Sequence, residues 1–348
     1  MGERGGKFGS IAKESGLFDE THFLLSGKFR RYHNQPLTKR LLDIKTNFLN
    51  IRDLVKICLG IVQGIFLLRR LKADSILLKG GSVCIPAGIG ARLAGVMTIT
   101  HDSDALPGIS NRIGGKHAKY HATAMPAKYY KYPKGKIIHV GLPVSELFRE
   151  YSGSEIAKIK QKMNIPTNST VLMITGGSNG AKRLNDWCAE GLPKMLNHND
   201  RLYVIFVTGK GKLITPNLDN SAKERLKIVD FTDEMHNLSA ISDVIISRAG
   251  ATTIAEFAAQ SKPLILVPNP DLTGGHQIKN SKVYTEQEAA IVLEEKQISK
   301  DPDIIPATVS NLLNNKQMQI KLGRNLHSTV PDTSAARRIA QLLLEGRG

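Results

Sequence analysis

Cysteine and aromatic residues are scarce in this sequence. Three cysteines occur in 348 residues, Cys58, Cys84 and Cys188, and they form no CxxC motif and no Cys/His spacing. This argues against a disulfide framework or a zinc site and suits a reducing compartment. Phe, Trp and Tyr make up 5% of the residues. With so few side chains for base stacking and no RNA-binding signature, we expect no nucleic acid among the partners.

A long apolar run is also absent. The first residues, MGERGGKFGSIAKESG, lack the apolar core of a secretory signal. The most apolar stretch, residues 54–71, contains Lys56 and Gln63 and closes with Arg69 and Arg70, so it is too short and too polar to span a bilayer. It predicts a core helix that precedes a strand. The alternative is a helix whose outer side and basic end also rest on a membrane surface.

Acidic residues are outnumbered by basic ones. The chain has 48 Lys and Arg against 31 Asp and Glu, which gives a formal net charge of +17. Such a chain is attracted to polyanions. The composition favours an anionic membrane face or a phosphorylated ligand over nucleic acid as the partner.

Short apolar runs alternate with helical patterns along the whole chain. Several runs are apolar throughout, which is typical of parallel strands covered by helices on both faces. The pattern predicts an α/β fold with doubly wound sheets. The predicted strands are residues 21–26, 74–79, 96–100, 136–140, 170–175, 202–207, 227–231, 243–247, 263–267 and 289–293.

The length predicts two domains, because 348 residues are long for one core. A strand end, a lysine-rich helix and the turn PTNST follow one another within residues 143–168. We therefore predict an N-terminal domain at 1–145 and a C-terminal domain at 146–330. Residues 331–348 would form a last helix that could pack on either domain, including back on the N-terminal one.

Residues 173–185, MITGGSNGAKRLN, have the pattern of a strand, a glycine-rich turn and a helix start. Gly176, Gly177 and Gly180 would let the backbone approach a ligand, and the helix N-terminus offers N–H donors to an anion. The stretch has neither the GK[ST] ending of a P-loop nor the GxGxxG spacing. Taken alone, it is equally consistent with a tight turn that binds nothing.

The stretch SRAGATTIAE, residues 247–256, repeats this pattern. A diphosphate could bind the N–H groups that follow Gly250, with the hydroxyls of Thr252 and Thr253 adding donors. Glu256 lies one turn into the predicted helix, where its carboxylate could accept hydrogen bonds from the two hydroxyls of a ribose. The pattern indicates a ribose-diphosphate site, although a single acid on a helix is more often only solvated.

Two further groups of polar residues follow predicted strands. His276, Gln277 and Asn280 share one helical face and suit hydroxyl recognition. His101, Asp102 and Asp104 form the densest ionisable cluster of the sequence. They could act as a general base or acceptor contact, or as loop-capping aspartates. An Asp-x-Asp metal site is disfavoured, because nothing nearby completes it.

Together these stretches resemble the MurG family. GGSNGAKRLN, TGKG, DFTDEM, SRAGATTIAE and GGHQIKN occur in the order found in that family. In the first half, LLKGGSVCIPAGIGARLAGV, THDSDALPGISNRIG and VGLPVSE are similar to its less strict motifs. The resemblance covers nearly the whole chain, and its most specific element is the acid eight residues after Arg248.

The resemblance implies a GT-B fold, in which two Rossmann-like, doubly wound domains face each other across a cleft. The N-terminal domain would bind a lipid acceptor, and the C-terminal domain would bind UDP-N-acetylglucosamine (UDP-GlcNAc). Glu256 would hold the ribose, the backbone at Thr232 would read the uracil, and neither a metal nor a cofactor is implied. The other implied donor contacts are Arg248, Gly250, Ala251, Thr252 and Thr253 at the diphosphate, His276, Gln277 and Asn280 at the GlcNAc, and Ser178 and Asn179 over the donor. On the acceptor side, His101 and Asp102 would be catalytic and Asp104 would contact substrate.

Three departures from the family pattern matter. The usual His-Glu-Gln-Asn is replaced at residues 101–104 by HDSD, and the usual GNPVR at 141–145 by GLPVS, without its arginine. The family's opening strand and GGTGGH-like loop have no counterpart, so the N-terminal domain is expected to be incomplete by about one βαβ unit. We therefore expect the 348-residue chain to bind UDP-sugar through its C-terminal domain but to be a weak transferase, or none, by itself.

The function implied by the resemblance is a step of peptidoglycan synthesis. GlcNAc would pass from UDP-GlcNAc, with inversion and without a metal, to the undecaprenyl-linked muramyl peptide, converting lipid I to lipid II. The protein would be peripheral, on the cytoplasmic face of the cell membrane, with an anionic membrane surface as a partner. The alternatives are a related GT-B transferase that acts on another lipid, or a non-catalytic UDP-sugar-binding protein that depends on a partner chain.

Overall fold

A computed structural model of the chain describes residues 1–3, 9–28, 43–177, 180–212, 214–331 and 334–347. The chain divides into two compact units, Met1–Val140 with Ala336–Gly348, and Gly141–Ala335. We call them the N-terminal unit and the C-terminal unit. Within the described ranges, the helices are all too short or too polar to cross a membrane.

The N-terminal unit contains two parallel sheets. Strands β1 and β2 pair with each other, and the larger sheet has the order β3-β4-β5-β6. The strands are β1 (Gly2–Glu3), β2 (Phe23–Leu24), β3 (Ser75–Leu78), β4 (Met97–Asp102), β5 (Tyr120–Thr123) and β6 (Ile137–His139). The helices are α1 (Gly9–Glu14), α2 (Ile44–Arg70), α3 (Cys84–Ala94), α4 (Ile109–Gly114) and, from the C-terminus, α14 (Ala335–Leu344).

Helix α2 is the longest described helix, and its two faces differ. The Asp43 side chain caps its start by accepting a hydrogen bond from Thr46 N at 3.0 Å. One face is buried at a helical spacing of three or four residues, through Asp53, Ile57, Gly60, Gly64 and Leu68. The other face exposes a stripe of apolar side chains at Ile44, Phe48, Ile51, Val55, Leu59, Val62 and Phe66.

The C-terminal helix belongs to the core of the N-terminal unit. Ile339 and Leu342 of α14 pack with Ile99 of β4, Ala122 of β5 and Val140. A second core lies between β3 and α3, with Leu78, Cys84 and Ala91 among its buried residues. Burying α14 in this way removes most of its apolar face from water.

The C-terminal unit is built on one parallel sheet of order β12-β11-β10-β7-β8-β9. Its strands are β7 (Thr170–Thr175), β8 (Leu202–Val207), β9 (Leu226–Val229), β10 (Val244–Ser247), β11 (Leu264–Leu266) and β12 (Ile291–Val292). Its helices are α5 (Gly153–Lys162), α6 (Lys182–Asn197), α7 (Asn220–Lys223), α8 (Met235–Ala240), α9 (Ala251–Ala258), α10 (His276–Glu286), α11 (Glu295–Lys300), α12 (Ile304–Leu313) and α13 (Lys316–His327).

The central strands of this sheet are buried on both faces. Every residue of β8 and β10 is buried, and β7 is buried from Val171 onward. Because successive side chains of a strand point to opposite faces, helices must cover both sides. On one side, Leu172 and Ile174 pack with Leu184 and Leu192 of α6.

The strand order reverses between β7 and β10. From β7 the chain builds outward through β8 and β9, and it then returns to β10 and builds the other way through β11 and β12. Ligands of open parallel sheets bind at the carboxyl ends of the strands at such a switch point. The fold alone therefore indicates where to look for a site.

Two strand predictions need correction. The strand β5 was not predicted, because YHAT is too polar to read as an apolar run, although Ala122 and Thr123 are fully buried. The strand predicted at 96–100 extends to Asp102. His101 and Asp102 therefore lie in β4 itself rather than after it.

Candidate active site

Two strand–helix turns lie side by side at the switch point. Strands β7 and β10 are hydrogen-bonded neighbours, with Thr175 opposite Ser247 at their carboxyl ends. The turn after β7 leads into α6, and the turn after β10 leads into α9. Within the described part of the chain, neither helix has a side-chain hydrogen bond at its N-cap, which is Ala181 in one and Gly250 in the other. Both helix starts therefore keep N–H donors for a ligand.

The turn after β7 requires its glycines. Gly177 and Gly180 have φ of 77° and 61°, which favours residues without a Cβ. A Cβ at Gly180 would stand 2.4 Å from Thr208 O, and one at Gly176 would stand 2.4 Å from Ala181 N. The prediction for Ser178 and Asn179 falls on residues outside those that the structure describes, and it stays a prediction.

Arg248 lies beneath the second turn with its guanidinium buried. The residue is 5% exposed, and Nη1 donates to Val267 O at 2.9 Å and lies 2.7 Å from Glu295 Oε1. Its buried Nε has no hydrogen-bond partner within the described part of the chain. A buried N–H donor without a partner is costly, so this geometry favours an anionic ligand beside it.

These elements surround a pocket of about 490 Å³. It brings together three segments that are distant in sequence, after β7, after β10 and after β11. The predicted residues among its lining are Arg248, Gly250, Ala251, Thr252, Thr253 and Gln277. The lining also includes residues that the sequence analysis did not assign as contacts, namely Lys182, Arg183, Asn269 and Leu272. The pocket has the glycine backbone, the helix starts and the basic side chains that a diphosphate needs.

Glu256 lies in α9 and is partly buried. Burial raises the pKa of its carboxyl to about 7. No hydrogen-bond donor to this carboxylate occurs in the described ranges. An acid that is desolvated without a partner is poised to accept hydrogen bonds from a bound ligand.

The three polar residues of α10 have different surroundings. Gln277 lines the pocket and accepts a hydrogen bond from Asn269 N at 2.8 Å, which ties the loop after β11 to the helix. Asn280 is fully buried and donates to Ala249 O at 3.1 Å, so it supports the turn after β10. His276 is partly buried at the start of the helix. The sugar contacts assigned to these residues stay predictions.

Thr232 lies beyond the edge strand β9, where its Oγ1 accepts a hydrogen bond from Glu234 N at 2.9 Å. This bond shapes the turn of DFTDEM. It leaves the predicted uracil contact of the Thr232 backbone untested.

In the N-terminal unit, Asp102 is at the centre of a hydrogen-bond network. Its Oδ1 accepts from Gly108 N at 3.2 Å and Asn111 Nδ2 at 3.0 Å, and its Oδ2 accepts from Tyr132 OH at 2.8 Å. Burial raises the pKa of the carboxyl, while these hydrogen bonds lower it. The carboxylate therefore anchors the loops around it, and the catalytic role assigned to Asp102 stays a prediction.

His101 and Asp104, the neighbours of Asp102, also have polar contacts within the N-terminal unit. His101 is 1% exposed, and its Nδ1 lies 3.4 Å from Lys79 Nζ. The backbone oxygen of Asp104 accepts a hydrogen bond from Tyr130 OH at 2.9 Å. The described residues contain no group of three or more His, Cys, Asp or Glu arranged to hold a metal ion.

Comparison with known proteins identifies the family. Models of the glycosyltransferase family 28 N-terminal and C-terminal domains match residues 24–123 and 171–342. The chain is 34% identical over 309 residues to the UDP-N-acetylglucosamine–N-acetylmuramyl-(pentapeptide) pyrophosphoryl-undecaprenol N-acetylglucosamine transferase of Clostridium novyi, and the match covers 86% of this chain and 78% of that one. The chain belongs to the MurG family. A protein of the same name from Natranaerobius thermophilus is 29% identical over 295 residues, which cover 83% and 79% of the two chains.

The fold agrees with that of two solved structures. The crystal structure of Acinetobacter baumannii MurG matches with a TM-score of 0.70 at 19% identity and covers 99% of this chain and 89% of that one. A Staphylococcus aureus MnaA–UDP structure matches with a TM-score of 0.58 at 13% identity and covers 82% and 79%. The predicted fold class, an α/β GT-B protein with two Rossmann-like domains, is confirmed. So is the prediction of a glycosyltransferase.

Proposed function

We propose that this MurG-family chain transfers GlcNAc from UDP-GlcNAc to a lipid-linked MurNAc-peptide, the reaction that forms lipid II in peptidoglycan synthesis. The observation that carries the proposal is the pocket at the switch point. Two helix starts and the buried guanidinium of Arg248 meet there, and the described residues neither cap these helices through a side chain nor supply a partner for Arg248 Nε. That set of donors suits the diphosphate of a nucleotide sugar.

The donor would lie along α9. The N–H groups after Gly250, with the hydroxyls of Thr252 and Thr253, would bind the diphosphate, and the Glu256 carboxylate would accept from the ribose hydroxyls. When the C4 hydroxyl of the acceptor attacks the anomeric carbon, the sugar–phosphate bond breaks and its electron pair goes to the diphosphate. Preorganised N–H donors and Arg248 would stabilise that added charge.

An assay of GlcNAc transfer from UDP-GlcNAc to the lipid-linked MurNAc-peptide tests the proposal. We expect product from the chain, unchanged activity in EDTA, and a much higher KM for UDP-GlcNAc in Glu256→Ala. A lost charge-assisted hydrogen bond costs about 1.5–3 kcal/mol, so UDP should bind this variant about 10- to 150-fold more weakly. Equal UDP affinity of Glu256→Ala and wild type would remove Glu256 from the donor site.

We further propose that the exposed stripe of α2 rests on an anionic membrane surface, on the cytoplasmic side where UDP-sugars are available. The stripe spans seven side chains from Ile44 to Phe66, with Phe48 67% and Phe66 69% exposed. A helix of 27 residues is about 40 Å long. Arg69, Arg70 and Lys72 follow at its end, and each basic residue near an anionic surface contributes about 1 kcal/mol.

Vesicle flotation tests the membrane proposal. The chain should bind anionic vesicles, lose part of that binding at high salt, and bind neutral vesicles poorly. Phe48→Ser combined with Phe66→Ser should weaken binding at least about tenfold, because two rings no longer bury apolar area. Leu93→Ser is the matched control, since Leu93 is 56% exposed on α3 of the same unit. Equal binding of the control and the double variant would contradict the proposal.

A further inference from the structure

Arg183, in the first turn of α6, lines the same pocket as Arg248. Among the described residues, its polar contacts are all made by Nη2: 2.8 Å to Asn269 Oδ1, 2.6 Å to Asp271 Oδ2 and 3.1 Å to Glu295 Oε2. A guanidinium has five N–H donors. The three donors on Nη1 and Nε have no partner among the described residues. The described residues therefore hold the side chain through Nη2, while the N–H donors of Nη1 and Nε remain available to a ligand.

Glu295 links this arginine to the buried one. One carboxylate oxygen lies 2.7 Å from Arg248 Nη1 and the other lies 3.1 Å from Arg183 Nη2. The Glu295 side chain is 8% exposed. Two guanidinium groups near each other repel, and a buried carboxylate between them offsets that repulsion while it fixes both positions. Glu295 is therefore a positioning residue for the pair.

The alternative is that Arg183 only tethers the loop after β11, and that explanation is weaker. The Arg183 and Asp271 side chains are 45% and 69% exposed, and an ion pair at that exposure contributes little stability. The convergence of three acceptors on one nitrogen leaves the other two nitrogens available. In a pocket with the chemistry of a diphosphate site, such N–H groups fit phosphate oxygens.

We propose that Arg183 is a second diphosphate-binding arginine, which contacts the phosphate farther from the ribose and is positioned for it by Glu295. This inference rests on the proposed UDP-sugar site. The ribose is expected at Glu256 on α9, so the α6 side of the pocket, which carries Arg183, is left for the distal phosphate. Arg183 thereby adds a contact for the leaving group of the transfer reaction.

Calorimetry with UDP and UMP tests the inference on the full chain. Arg183→Ala should bind UDP about 10- to 100-fold more weakly, the range of one charge-assisted hydrogen bond. UMP lacks the distal phosphate, so its affinity should change less than threefold by this reasoning. Arg183→Lys keeps the charge but loses the planar group, and it should be intermediate.

Lys194→Ala is the matched control. Lys194 lies in the last turn of the same helix and pairs with Asp303, outside the pocket. It should leave both affinities unchanged. If wild type binds UDP and Arg183→Ala binds it equally, or if UDP and UMP lose affinity equally, the inference is overturned while the donor site stands. If wild type binds no UDP, the proposed function fails first.

Discussion

The two clusters of polar residues at strand ends, one in each unit, are arranged in opposite ways. Around Asp102, every carboxylate oxygen already has a partner within the N-terminal unit. Around the pocket of the C-terminal unit, the described residues provide no side-chain cap for two helix starts and no partner for a buried N–H of Arg248. A carboxylate whose oxygens already accept hydrogen bonds stabilises the fold, whereas buried donors without partners remain available to a ligand.

The largest expected effect is a loss of stability when the Asp102 carboxylate is removed. Asp102→Ala removes three hydrogen bonds to a carboxylate, each worth about 1 kcal/mol or more, so the free energy of unfolding should fall by about 3 kcal/mol. Tyr132→Phe removes one hydrogen bond and should cost only about 1 kcal/mol. Denaturant unfolding measures both. UDP affinity should not change, and a loss of UDP binding in Tyr132→Phe would contradict the separation of the two clusters.

A smaller effect is expected at the glycine-rich turn. Gly180 and Gly211 both have positive φ, 61° and 72°, but only a Cβ at Gly180 would meet backbone, at 2.4 Å from Thr208 O. Each change to Ala should cost about 1–2 kcal/mol for the left-handed conformation. Gly180→Ala should in addition displace the turn and weaken UDP binding in calorimetry, whereas Gly211→Ala should not. Equal UDP affinities would show that the turn does not shape the pocket.

The smallest expected effect is the pH dependence of UDP affinity. Burial raises the pKa of Glu256 to about 7, and ribose hydroxyls bind its charged form better. UDP affinity should therefore be highest above pH 7 and fall as the pH drops through 7, by up to about tenfold per unit. Glu256→Gln should bind UDP more weakly at pH 8 and lose this step. A persisting step near pH 7 in that variant would assign the titration to another group.

The same two clusters show which features of the candidate site could be predicted from the sequence. The turns after β7 and β10 could be predicted because their glycines and helix starts are local signals, and Gly250–Thr253 line the pocket. Arg183 and Glu295 carry no local signal, because they meet only when α6, β10 and α11 are assembled. The local sequence signal at Asp102 was incomplete. Its polarity suggested availability, yet Asn111 and Tyr132, 9 and 30 positions away, occupy its oxygens.

The reversal of strand order also has a consequence for how the protein is made. Strand β7 pairs with β8 soon after both leave the ribosome, but its other edge waits for β10. Val171 at β7 and Asp243 beside β10 are 72 positions apart, which at the usual pace of synthesis is roughly 4–14 s. During that interval a strand with four consecutive apolar residues, TVLMIT, has an open edge, which is the kind of surface that chaperones bind. The donor cannot protect it, because half of its pocket has not yet been synthesised.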